Sequence, residues 1–194
     1  MAKEIAEQPG VIGAAIGHYL TPEGEINISA QDIDFTQFDR ILMVACGTAS
    51  FACFTAKYWF EQIARLPVEI DVASEFRYRE PPIPPRTLAV FVSQSGETAD
   101  TLAALRYCEG KAARILSVVN VPESSIARES DLALPIHAGV EVGVASTKAF
   151  TCQLVVLFAL VLKAVRDREV ISADTFADHI SALRGLPATI STAL

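Results

Sequence analysis

Short apolar runs alternate with stretches of helical spacing along most of this chain, and that alternation restricts the fold more than any other feature. Arg40 to Ala45 carries Ile41, Leu42, Met43 and Val44 without a break. Pro67 to Val72, Thr87 to Val92, Ala113 to Val119 and Asp131 to Pro135 repeat the theme. Each reads as a strand. Between them, Phe51 to about Ala64 and Ala99 to Cys108 read as helices, and Ser74-Glu75-Phe76 and Ser124 to Glu129 as helical turns. Ser146-Thr147 caps a long apolar helix to about Arg166. Such a pattern predicts an α/β fold: a three-layer α-β-α sandwich on a five-stranded parallel sheet with right-handed crossovers.

The flanks are helical. Lys3 to Tyr19 reads as a helix interrupted at Pro9, where proline suits a first helical position. Thr21 to Asp39 is a polar connection with room for a short helix. Ser172 caps a last helix through Ala182 and Leu183, expected to break near Gly185 and Pro187. The expected organisation is an N-terminal helix and connection (1–39), a central domain (40–166), and a C-terminal helix (167–194) leading to a further domain.

Two strand-to-helix turns carry unusual chemistry. Ser93-Gln94-Ser95-Gly96-Glu97-Thr98 combines three hydroxyls, a glycine suited to positive φ and a helix start. These are the parts of a phosphate cradle built from neutral donors and a helix dipole. Ser95 acting only as a helix cap is the competing reading, and composition alone leaves both open. Cys46-Gly47-Thr48-Ala49-Ser50 follows the first strand with the same glycine-and-hydroxyl character, although any such turn needs small residues. A third stretch, Val144 to Thr147, follows a run of small residues. In a parallel sheet the first two turns converge at the carboxyl edge, and the third can close over them.

The net charge of −7 over 194 residues argues against nucleic acid as a partner. The four cysteines form no Cys-x-x-Cys pair and no histidine sits at ligand spacing to one, so neither a metal nor a disulfide frame is expected. Reduced thiols fit a cytoplasmic protein. Met1 is followed by Lys3 and Glu4 rather than an apolar leader. The longest apolar run, Leu154 to Leu162, is shorter than the roughly 20 residues a bilayer requires, so no membrane partner is expected. No Gly-x-Gly-x-x-Gly follows the first strand, which excludes a dinucleotide cofactor; no cofactor is expected.

The wording of several stretches resembles the sugar isomerase (SIS) domain family, and within it the first isomerase domain of the glucosamine-6-phosphate synthases. The matching text is Glu7-Gln8-Pro9, Ala45 to Thr48, Ala73 to Tyr78, Ser93 to Thr101, Arg128 to Asp131 and Val144 to Phe150. The resemblance implies a flavodoxin-like SIS fold, a homodimer, and fructose 6-phosphate or glucosamine 6-phosphate as ligand. It implies that Ser93, Ser95 and Thr98 hold the phosphate with Gln94 beside them. Thr48, next to Cys46 and Gly47, completes the pocket, and Val144 and Ser146 meet sugar hydroxyls. Ala49 departs from the family's usual serine, a change that removes one hydrogen bond worth about 0.5–1.5 kcal/mol.

The family's catalytic glutamate, histidine and Schiff-base lysine belong to the second isomerase domain, so no catalytic residue is assigned here. Lys148 is read as structural. Glu141, the one carboxylate in the small-residue stretch, is either a catalytic group or a loop anchor, and anchoring is the favoured reading. The expected function is sugar-phosphate binding without turnover by this segment alone, within an enzyme that makes glucosamine 6-phosphate from fructose 6-phosphate and glutamine. The alternatives are a complete single-domain sugar-phosphate isomerase and a non-catalytic sugar-phosphate sensor.

Overall fold

The computed structural model describes residues 1–29 and 31–194. Five parallel strands form the sheet: β1 (Arg40–Ala45), β2 (Val68–Val72), β3 (Thr87–Ser93), β4 (Arg114–Val119) and β5 (Leu132–Pro135), in the order β2-β1-β3-β4-β5. This is the flavodoxin-like doubly wound order. β3, central and wholly buried, reads as an uninterrupted apolar run because both its faces are covered.

Alternate side chains feed two cores. Ile41, Met43, Leu88, Val90, Leu116 and Val118 face one layer of helices. That layer contains α2 (Gln8–Tyr19), α3 (Thr48–Trp59), α7 (Lys148–Arg168) and α8 (Ala173–Ala193). Leu42, Val44, Ala89, Phe91 and Ile115 face the opposite layer. There lie α4 (Ala73–Arg79), α5 (Ala99–Cys108) and the single turn α6 (Ser125–Arg128). α1 (Ala2–Ala6) precedes α2, and one 3₁₀ turn, Phe35–Gln37, sits in the connection before β1.

α7 is long and apolar enough to cross a membrane by length and composition, but it runs through the first core and most of it is buried. Cys53, Cys108 and Cys152 are buried free thiols, and burial pushes each up to about 12.

The last helix departs from expectation. It continues through Gly185 and Pro187 to Ala193. A proline costs one backbone hydrogen bond, yet Leu186 and Ile190 pack against the first core on either side of it. The Pro187 ring lies over Gly13 of α2, where no side chain blocks the approach. Tertiary burial outweighs local propensity here.

Candidate functional site

β1 and β3 are neighbours, with Ala45 opposite Val92, but their connections leave in opposite directions. β1 leads to β2 on one side and β3 to β4 on the other. The chain therefore parts at their carboxyl ends and leaves a crevice, the position where open parallel sheets bind ligands. A cleft of about 260 Å³ occupies it.

The first loop contributes Cys46, Thr48 and Ala49 to the cleft wall. Gly47 does not line it. Its φ of 57° and ψ of −136° form the corner that turns β1 into α3, a conformation open to glycine. Ser50 is committed locally, donating from Oγ to the Gly47 carbonyl at 2.6 Å.

The second loop contributes Ser93, Gln94, Ser95 and Thr98. Ser93 is buried; its Oγ accepts from the Gly96 amide at 3.1 Å and shares a hydrogen bond with Thr98 Oγ1, also at 3.1 Å. Among the described residues, Ser95 Oγ accepts only from the Glu97 amide, at 3.2 Å. It does not cap α5: Thr98 is the N-cap residue, and no side chain caps that helix. Glu97, which sits awkwardly in a cradle for anions, is turned away from the cleft. Its carboxylate accepts from the Ser125 amide at 2.7 Å, at the start of α6, and this contact holds its pKa below the usual range.

The third loop contributes Glu141, Gly143, Val144 and Ser146. Glu141 is its anchor. Oε1 accepts from the amides of Thr147 and Ala149 at 2.9 and 3.2 Å, and Oε2 from Ser146 Oγ at 3.1 Å. This carboxylate, rather than a side chain of Ser146 or Thr147, caps α7 and suits its positive end. A second carboxylate holds the loop from outside: Glu4 Oε1 accepts from the amides of Val142 and Gly143 at 2.6 and 3.0 Å. The Met1 amino group and these two amides bring the Glu4 pKa down to about 2.

Eight of the nine residues singled out from the sequence thus line one cleft, and Gly47 shapes its corner. Sequence reasoning missed Val92, Gly143 and Gln153 as lining residues. Gln153 lies on α7 and is 2% exposed. Its signal was a lone amide in an otherwise apolar helical run. Among the described residues, no lysine or arginine lines the cleft.

A doubly wound parallel α/β domain with a hydroxyl-lined cleft at its topological switch point is the class that fold and cleft define. A family model described as "SIS domain" matches residues 34–163, and the chain belongs to that family. It is 53% identical over 195 residues to a glutamine–fructose-6-phosphate aminotransferase [isomerizing] of Rhizobium leguminosarum bv. viciae, covering 100% of this chain and 32% of that protein. To the enzyme of the same name from Brucella abortus it is 58% identical over 169 residues, covering 87% of this chain and 28% of the relative. The chain therefore spans about a third of the length of these curated relatives. Among solved structures, it matches the C-terminal domain of glucosamine-fructose-6-phosphate aminotransferase from Francisella tularensis. The TM-score is 0.92 at 42% identity, over 97% of this chain and 53% of that one.

Proposed function

We propose that the chain binds fructose 6-phosphate or glucosamine 6-phosphate in this cleft. It would act as the first isomerase domain of an enzyme that converts fructose 6-phosphate and glutamine to glucosamine 6-phosphate and glutamate. The observation that carries the reading is the grouping of Thr48, Ser93, Ser95 and Thr98 beside the uncapped start of α5. A phosphate there meets neutral hydroxyl donors and the positive end of a helix, without a basic side chain. Gln94 flanks the phosphate, with Cys46 and Gly47 behind Thr48. Val144 and Ser146, across the cleft, meet sugar hydroxyls.

Isomerisation moves a proton between C1 and C2 and needs a base within hydrogen-bond reach. Glu141 is the one carboxylate lining the cleft, and its oxygens are engaged by Thr147, Ala149 and Ser146. The base therefore comes from outside residues 1–194, and turnover belongs to the longer protein. In this reading residues 1–39 and 167–194 flank the binding domain of residues 40–166. A cytoplasmic location suits the buried free thiols. The protein works as a homodimer without nucleic acid or membrane, and exposed Phe51, Phe54 and Tyr58 on α3 offer apolar surface for a second subunit.

Calorimetric titration with glucosamine 6-phosphate tests the binding claim. Saturable binding that is lost in Ser95→Ala supports it; no binding by the unsubstituted chain at millimolar ligand overturns it. Turnover of fructose 6-phosphate by the 194-residue chain alone would instead make this a complete isomerase.

A further inference from the structure

α7 carries three buried polar side chains, Lys148, Gln153 and Lys163. Two are paired: Lys148 Nζ donates to Glu7 Oε2 at 2.7 Å, and Lys163 Nζ to Asp167 Oδ1. Gln153 makes no side-chain hydrogen bond among the described residues, although it is 2% exposed and lies in a helix surrounded by the main core. Its carboxamide is not among the buried polar atoms left without a partner, so the little surface it exposes is polar and faces the cleft. A primary amide with no partner in the protein keeps its full hydrogen-bonding capacity for what occupies the cleft. The residue lines the same cleft as Thr48, Ser93, Ser95 and Thr98.

We propose that Gln153 is a ligand-contacting residue of this cleft, its carboxamide hydrogen-bonding an oxygen of the bound sugar phosphate. The proposal rests on the sugar-phosphate reading given above. A carboxamide presents a donor and an acceptor side by side. It can donate to a phosphate oxygen, or both donate to and accept from a sugar hydroxyl. The rigid frame of α7 fixes its position before ligand arrives, so little ordering is left to oppose binding.

Substitution by leucine separates this role from a structural one. Gln153→Leu replaces a cleft-facing carboxamide that bonds to nothing in the protein with an apolar side chain of similar size, so the empty protein should melt close to the parent temperature. Its affinity for glucosamine 6-phosphate should fall about tenfold, the scale of one hydrogen bond lost. Parallel titrations with inorganic phosphate locate the contact. A matching loss for phosphate places it on the phosphate group, and a loss confined to glucosamine 6-phosphate places it on the sugar. In unsubstituted protein labelled with ¹⁵N-glutamine, the Gln153 amide resonance should shift on saturation, a readout independent of how the variant folds.

Unchanged affinity in Gln153→Leu, or a Gln153 amide resonance that stays put at saturation, overturns the proposal while leaving the cleft assignment intact. Absence of binding by unsubstituted protein overturns both together.

Discussion

Lys148 Nζ lies 2.7 Å from Glu7 Oε2, joining the first residue of α7 to the junction between α1 and α2, 141 positions earlier. The lysine side chain is 5% exposed and the glutamate 35%. A buried ammonium held this way is a strut beneath the third loop rather than a free nucleophile. Removing one partner of such a pair is worse than removing both, because it strands a charge away from water. Glu7→Gln should therefore lower the melting temperature more than the double variant Glu7→Gln/Lys148→Met. Lys148 is the main reason the Glu7 carboxyl sits below its ordinary 4.5. That stabilisation is present above about pH 4.5 and is lost as pH falls through the lower folded value. Melting curves of the parent and Glu7→Gln, taken from neutral pH into the acid range, should converge once Glu7 is protonated, while the double variant, which has no stranded ammonium, should stay above both.

His18 and His137 are in tilted ring contact, with centroids 4.2 Å apart and planes at 50°. Burial first, and the neighbouring His18 second, depress the His137 pKa from 6.5. The unfolded chain then takes up a proton more readily than the native one, so stability declines as pH drops below about 6.5 and levels off below the folded value. His137 has a φ of 56°, which asparagine tolerates better than most residues. His137→Asn should flatten the pH dependence of urea midpoints between about pH 7 and 5. An unchanged slope would exclude the histidine pair as its source.

Gly96 holds the Ser93–Thr98 loop against α6. Its φ is +66°, and a Cβ built there falls 1.9 Å from Ser124 Oγ and 2.5 Å from Ser124 Cβ. Gly96→Ala combines left-handed strain with overpacking, an expected loss of about 2–4 kcal/mol. Ser124→Gly removes both clashing atoms and should recover part of the loss when combined with it. Urea unfolding of the two single variants and the double measures the coupling.

Pro187 interrupts the hydrogen-bond ladder of α8 without ending the helix. Pro187→Ala restores an amide donor for the Leu183 carbonyl at the cost of the contact with Gly13. A gain of about 1–3 kcal/mol in unfolding free energy is expected. A loss would mean that the ring's packing on α2 outweighs the backbone bond.

The strands were legible almost to the residue. Arg40 to Ala45 forms as read, and the other four runs shift by one position at an end. The reason is local: the runs of β1, β3 and β4 are apolar, too short for a helix and bounded by turn residues, which fits strands covered on both faces of a parallel sheet. The residues after β1 and β3 were legible for the same reason, since a strand's end fixes where its loop begins. The persistence of α8 past Pro187 was not legible, because packing on α2 and the core decides it.

The sequence by itself determined a five-stranded parallel sheet, its strand ends and the hydroxyl-bearing turns that those ends present. Tertiary structure alone decided which groups are spent and which are free. Glu4 reaches the amides of Val142 and Gly143 across 138 and 139 positions, Glu141 turns back to cap α7, and Gln153 faces the cleft unpaired. Hydrogen-bond partners so distant in the chain leave no periodic trace, because their pairing depends on where whole elements pack rather than on neighbouring residues.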